Sequence, residues 1–213
     1  MTVEEGLLAR WIELAGEQFG AVGSELIDRY REPHRRYHTV DHLAAMLSVI
    51  DDLAQDAHEV AAVRYAAFFH DAIYAVDRAD NEERSAELAE TTLSALGARA
   101  ELVGEVGRLV RLTATHRTAA DDRNGNVLCD ADLAILAADA SGYAAYTRAV
   151  RAEYAHVPDD LFRAGRAAVL RKLAEQPRLF RTPTARRRYE EAARANLAAE
   201  LAALTTEQPD ALR

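Results

Sequence analysis

Val63-Arg64-Tyr65-Ala66-Ala67-Phe68-Phe69-His70-Asp71 is an apolar run that stops on a histidine and an aspartate. Its length and its two adjacent phenylalanines predict a buried helix, from about residue 59 to about residue 73. An imidazole and a carboxylate at the end of such a helix are costly unless something pairs with them, and both are ligands for first-row metals. Working outward, a second histidine closes Tyr37-His38-Thr39-Val40-Asp41-His42, and a further aspartate lies in Leu128-Cys129-Asp130-Ala131-Asp132-Leu133. Each sits beside a core-facing apolar stripe. One shared cation would satisfy all of them, which points to a metal site collected from three separate helices.

The rest of the chain supports a helical setting. Of its 213 residues 49% are hydrophobic and 29% charged, the balance of a protein that buries a real core. Alanine is frequent, glycine and proline are sparse, and β-branched runs are almost absent, which predicts an all-α fold. A first amphipathic helix carries Leu7, Leu8, Trp11, Leu14, Ala15 and Gln18 and is expected to close at Gly20 and Gly23. Ser24 is a candidate cap for a short second helix through Tyr30. Further helices are expected from Thr39, from Asp80 to Gly97, over about 99–117, 130–138, 141–156 and 159–175, and over about 184–204. Thr118 to Asn126, rich in Asp, Asn and Gly, reads as the clearest loop. No repeat or long linker divides the chain. The expectation is a single helical domain over residues 1–213, with a motif core at about 30–155 and C-terminal helices at about 159–205.

Several classes are disfavoured. A net charge of −9 argues against general nucleic-acid binding. The lone Cys129 cannot form an intrachain disulfide, the N-terminus lacks a signal-peptide pattern, and no apolar stretch is long enough to span a membrane. A cytoplasmic protein is expected.

His38 and His42 are four apart and would share one helix face. Thr39 stands where a two-histidine zinc protease would have its glutamate base, which removes that reading. His38 then marks the helix start, with His42 facing inward.

The ordered set His42, His70-Asp71 and Asp132 resembles the HD-domain superfamily of metal-dependent phosphohydrolases. Together with Tyr37-His38-Thr39-Val40-Asp41-His42, Phe69-His70-Asp71-Ala72-Ile73-Tyr74, Asn81-Glu82-Glu83-Arg84-Ser85-Ala86 and Asp130-Ala131-Asp132-Leu133, it is similar to the predicted metal-dependent HD phosphohydrolases of bacteria. The resemblance spans roughly residues 30–155. It implies an HD-type helical bundle, a divalent metal held by His42, His70, Asp71 and Asp132, and hydrolysis of a small phosphorylated substrate, a nucleotide or another phosphate ester, by a metal-activated water. The family pattern favours Asp132 as the last ligand, with Asp130 as the alternative or as a helix cap. Two imidazoles and two carboxylates suit Mn²⁺, Co²⁺, Ni²⁺, Fe²⁺ or Zn²⁺ better than Mg²⁺ alone.

Other residues are weighed beside these. Asp71 is a candidate for orienting the attacking water. His116 is a candidate fifth ligand, phosphate contact or general acid, against a structural or surface role. Glu82, with Glu83, offers a base or second-metal ligand against simple support of the helix dipole. Arg35 and Arg36 are candidates to hold the substrate phosphate, against plain surface exposure. Tyr37, His38 and Tyr74 are candidates to line the substrate pocket, against mere packing. Two other readings of the same ligands stay open: a di-iron oxygenase of the HD fold, and a non-catalytic sensor that binds metal or nucleotide.

Overall fold

Residues 1–206 are described by the computed structural model, and among them the chain forms ten α-helices and no strand. The all-α expectation holds. Two compact units divide the chain, Met1–Asp132 and Leu133–Arg213.

In the first unit, α1 (Val3–Ala15) opens on a capping box in which Thr2 and Glu5 satisfy each other's backbone N–H. It stops at Gly16, whose φ of 107° lies where glycine is favoured. This corrects the expected stop at Gly20 and Gly23, which both lie inside α2 (Gly20–Arg29). The reason is a close helix crossing. A Cβ on Gly23 would stand 2.3 Å from Cδ1 of Trp11, so glycine here is a packing device and not a terminator. Ser24 likewise lies within α2 and donates to the Gly20 carbonyl instead of capping.

α3 (Val40–Asp52) starts after Thr39, and α4 (Val60–Phe69) follows. α4 buries seven of its ten residues, on every side of the helix, as expected for an element at the centre of a bundle. Its one charged side chain, Arg64, reaches out to Asp51, which Arg10 of α1 also binds. Around α4 pack α3, α5 (Asn81–Ala95) and α6 (Ala100–Leu112), with α1 against α2 and α3.

α6 ends at Leu112 rather than near 117, and α7 (Arg123–Leu133) begins well before the expected 130. The loop expected over 118–126 is therefore displaced to 113–122. Asn124 explains why: its side-chain oxygen accepts the N–H groups of His58 and Glu59 at 2.9 and 2.8 Å, and its amide donates to Glu105. An asparagine that reads as loop chemistry is here buried, holding the two residues that lead into α4.

The second unit holds α8 (Ala140–Glu153), α9 (Asp159–Ala174) and α10 (Pro183–Thr206). Arg166 grips Glu200 through two bonds of 2.7 and 3.0 Å, and the Tyr143 hydroxyl donates to the same carboxylate. Among the described residues no helix is long and apolar enough to cross a membrane.

Candidate metal centre

The polar ends of four elements of the first unit meet at one place. His42 is the third residue of α3, His70 and Asp71 follow α4 directly, Asp132 is the penultimate residue of α7, and His116 follows α6. The Nε2 atoms of His42 and His70 are 3.2 Å apart. Oδ1 of Asp132 lies 3.3 Å from the first and 4.0 Å from the second. Oδ2 of Asp71 lies 3.0 Å from His70 Nε2 and 3.9 Å from His42 Nε2. Ligand atoms about 2.0–2.2 Å from a shared ion stand roughly 3.0–3.5 Å apart, so the shortest of these spacings fit a common cation.

His42, His70 and Asp132 form a group whose ligand atoms all lie within 4.8 Å of one another. Asp71 is against the histidine pair but outside that tightest set. Asp130 is fully buried in the middle of α7, so it is not a helix cap, and Asp132 is the carboxylate that meets the histidines.

Hydrogen bonds behind the ligands fix their orientation. His70 Nδ1 is 2.8 Å from the Ala67 carbonyl and donates to it, so that loss of the ring's other proton would leave an Nε2 lone pair facing His42. Tyr30, fully buried, donates to the Phe68 and Ala67 carbonyls at 3.1 and 3.3 Å and accepts the Asp71 N–H. Burial and the nearby Asp71 carboxylate push the Tyr30 phenol well above its usual range, so it keeps its proton. Beyond Asp71, Ser85 accepts the Ile73 N–H and donates to the Ile73 carbonyl, and Asn81 does the same for Ala75. Tyr30, Asn81, Ser85 and Asn124 are supports that sequence reasoning did not find. Asn81 and Ser85 flank Glu82 and Glu83 in the sequence, and their own short polar side chains carry no local signal of the distant backbone they hold.

The electrostatics call for positive charge. Burial favours neutral His70, but the Asp71 carboxylate beside it, with Asp132 further off, outweighs burial and raises its pKa to about 9. Burial works to raise Asp71, and the His70 and His38 imidazoles hold it below the usual carboxylate range. Asp132 is likewise held well below that range, against burial, by hydrogen bonds from His116 and His42. Without a metal, an imidazolium supplies the countercharge. A divalent cation entering near pH 7 is therefore expected to expel a proton from His70, and its affinity to rise with pH until about 9. Calorimetry in buffers of different ionisation enthalpy checks this, and a heat that does not depend on the buffer would contradict it.

His116 Nε2 is 2.7 Å from Oδ2 of Asp132, the oxygen opposite the one that meets His42. It thus contacts the ligand carboxylate from outside the tight group. Its φ of 51° is the one positive value at a non-glycine residue among those described, a strained conformation that the turn after α6 holds in place. His38 is brought close as well, with Nε2 4.0 Å from Asp71 Oδ2. Its ring packs against Tyr74 at 4.2 Å and Tyr37 at 4.8 Å, and Tyr37 also leans on His42 at 4.9 Å.

Three expected residues remain, Arg35, Arg36 and Glu82. Arg35 is buried, and its guanidinium donates to backbone carbonyls and Glu32, so it is not available to a phosphate. Arg36 is exposed and bonds the Pro33 and Arg35 carbonyls. Glu82 and Glu83 lie in the first turn of α5, and Glu83 pairs with Arg111.

Compared with protein-family models, with curated proteins and with solved structures, the chain matches none.

Proposed function

We propose that this protein is a metal-dependent phosphohydrolase of the HD type that cleaves a small phosphate ester, a nucleotide being one candidate. The observation that carries the reading is the convergence of His42, His70 and Asp132 within 4.8 Å, with Asp71 against the histidine pair. Mixed nitrogen and oxygen donors suit a divalent transition ion such as Mn²⁺, Co²⁺, Ni²⁺, Fe²⁺ or Zn²⁺. Such an ion, when bound, polarises a phosphoryl oxygen and lowers the pKa of water toward ~7.

The chain's own groups then do the following. Asp71 accepts a hydrogen bond from the attacking water and orients it. His116, anchored on Asp132, holds a proton within reach of the leaving oxygen. His38, Tyr37 and Tyr74 form an aromatic wall against which the organic part of the substrate packs. Arg35, enclosed and with its donors taken, does not contact substrate. The di-iron alternative requires a second nitrogen-rich group, and among the described residues one such group of ligands is gathered.

The test is phosphate release from a panel of nucleotides and phosphomonoesters with each metal added in turn, comparing wild type with Asp71→Ala. Metal-dependent turnover lost in the variant is expected. Equal trace release from both proteins with every metal would overturn the reading.

A further inference from the structure

Arg35 has its guanidinium fully enclosed, and all five of its N–H donors have partners. Nε and Nη2 donate to Glu32 Oε2 at 3.1 Å each. Nη1 donates to the carbonyl of Asp71 at 2.7 Å and to that of His38 at 3.2 Å, and Nη2 also reaches the Ala72 carbonyl at 3.4 Å. The rings of Tyr30 and Tyr74 flank the group, with centroids 5.2 and 5.3 Å from Cζ. The carbonyls belong to two segments that are remote in the chain and that both feed the ligand cluster. One leads into α3 and His42, and the other runs on from His70.

We infer that Arg35 is a positioning residue for the metal centre: its planar fork sets the separation of the His38 and Asp71 backbones and so aims the Asp71 carboxylate at the histidine pair. This rests on the metal-centre reading above and goes beyond it, because it names a group that touches neither metal nor substrate. A lysine cannot replace it. Three tetrahedral donors on one nitrogen cannot meet acceptors spread along two edges of a plane. Glu32 balances the enclosed charge from the solvent side, where its side chain is 39% exposed. The arrangement has the form of an outer support, whose loss typically costs about 10–100-fold in metal affinity.

The experiment titrates the metal-free protein with Co²⁺ and follows the visible absorption band, which reports the ligand field directly, for wild type, Arg35→Lys, Arg35→Ala and Glu32→Gln. Arg35→Lys is expected to bind at least about 10-fold more weakly, with a changed band shape and far-ultraviolet circular dichroism like wild type. Methylguanidinium at concentrations far below denaturing is expected to restore part of the affinity and the band of Arg35→Ala, since it refills the vacated slot. Should the Arg35 variants fail to fold, Glu32→Gln, which keeps the fork but removes its anchor, is expected to show the same band change with a smaller loss of affinity. If wild type binds Co²⁺ and the folded variants match it in affinity and band shape, the positioning role is overturned. If wild type itself binds none, it is the metal-centre reading that fails.

Discussion

His70→Ala is expected to abolish stoichiometric binding of divalent metal and to lower phosphate release by more than about 100-fold, since even residues one step behind the ligands commonly cost about 10–100-fold. The size of the effect follows from where the imidazole stands. Its Nε2 is the atom nearest both to His42 Nε2 and to Asp71 Oδ2, at 3.2 and 3.0 Å. Removing it leaves His42 as the one nitrogen in the tight group and takes from Asp71 its 3.0 Å partner, while Asp132 keeps His116 and His42. The Asp71 carboxyl then rises from its lowered position, because the first of the charges that oppose its burial is gone. Metal content, measured after dialysis, and metal-dependent phosphate release would be compared with wild type. A variant that holds one metal per chain and turns over at the wild-type rate would remove His70 from the centre.

Trp11→Ala is expected to destabilise the protein by about 3–5 kcal/mol, the usual cost of deleting a large buried aromatic side chain. Trp11 is fully enclosed, and its ring meets Tyr65, Phe68 and Phe69 edge-on with centroids 5.8, 5.2 and 6.0 Å away. Its Nε1 donates to the Phe19 carbonyl at 2.9 Å, so the polar tip is satisfied and the whole ring is available for packing. The void left behind would open where α2 crosses α1 and where the last turn of α4 rests, just before His70. Denaturant unfolding followed by far-ultraviolet circular dichroism measures the loss, since the chain's single tryptophan is itself the residue removed. A cost below about 1 kcal/mol would mean that the bundle closes around the gap, contrary to the close packing of protein interiors.

The helical architecture was legible in the sequence because two signals agreed: an alanine-rich composition and apolar positions at helical spacing. The central place of α4 was legible too, since Val63 to Phe69 is apolar on every side but for Arg64. The candidate ligands stood out because a histidine or aspartate embedded in an apolar stripe demands a partner. What misled was chemistry that local sequence cannot resolve. Gly20 and Gly23 carry the composition of a helix end, but the tertiary approach of Trp11 makes them helix interior. Asn124 and Gly125 look like loop residues because the groups that satisfy Asn124, the N–H donors of His58 and Glu59, are far away in the chain. Arg35 and Arg36 are adjacent and alike, and only the fold separates an enclosed fork from an exposed side chain. Asp130 and Asp132 are two apart on one helix and so face different directions, and the choice between them followed from the family pattern rather than from the residues.

Asn124 also sets a mechanical limit on the centre. Its side-chain oxygen holds the first N–H groups of the segment leading into α4, and its own backbone starts α7, so one amide fixes the axial register of both helices. A helix that slides by a single residue moves about 1.5 Å along its axis. That displacement is comparable with the margin between a ligand atom in reach of a shared ion and one outside it, given the 3.3 Å between His42 Nε2 and Asp132 Oδ1. Sliding α7 past α4 by one residue would therefore strain both Asn124 bonds, about two helical turns from Asp132.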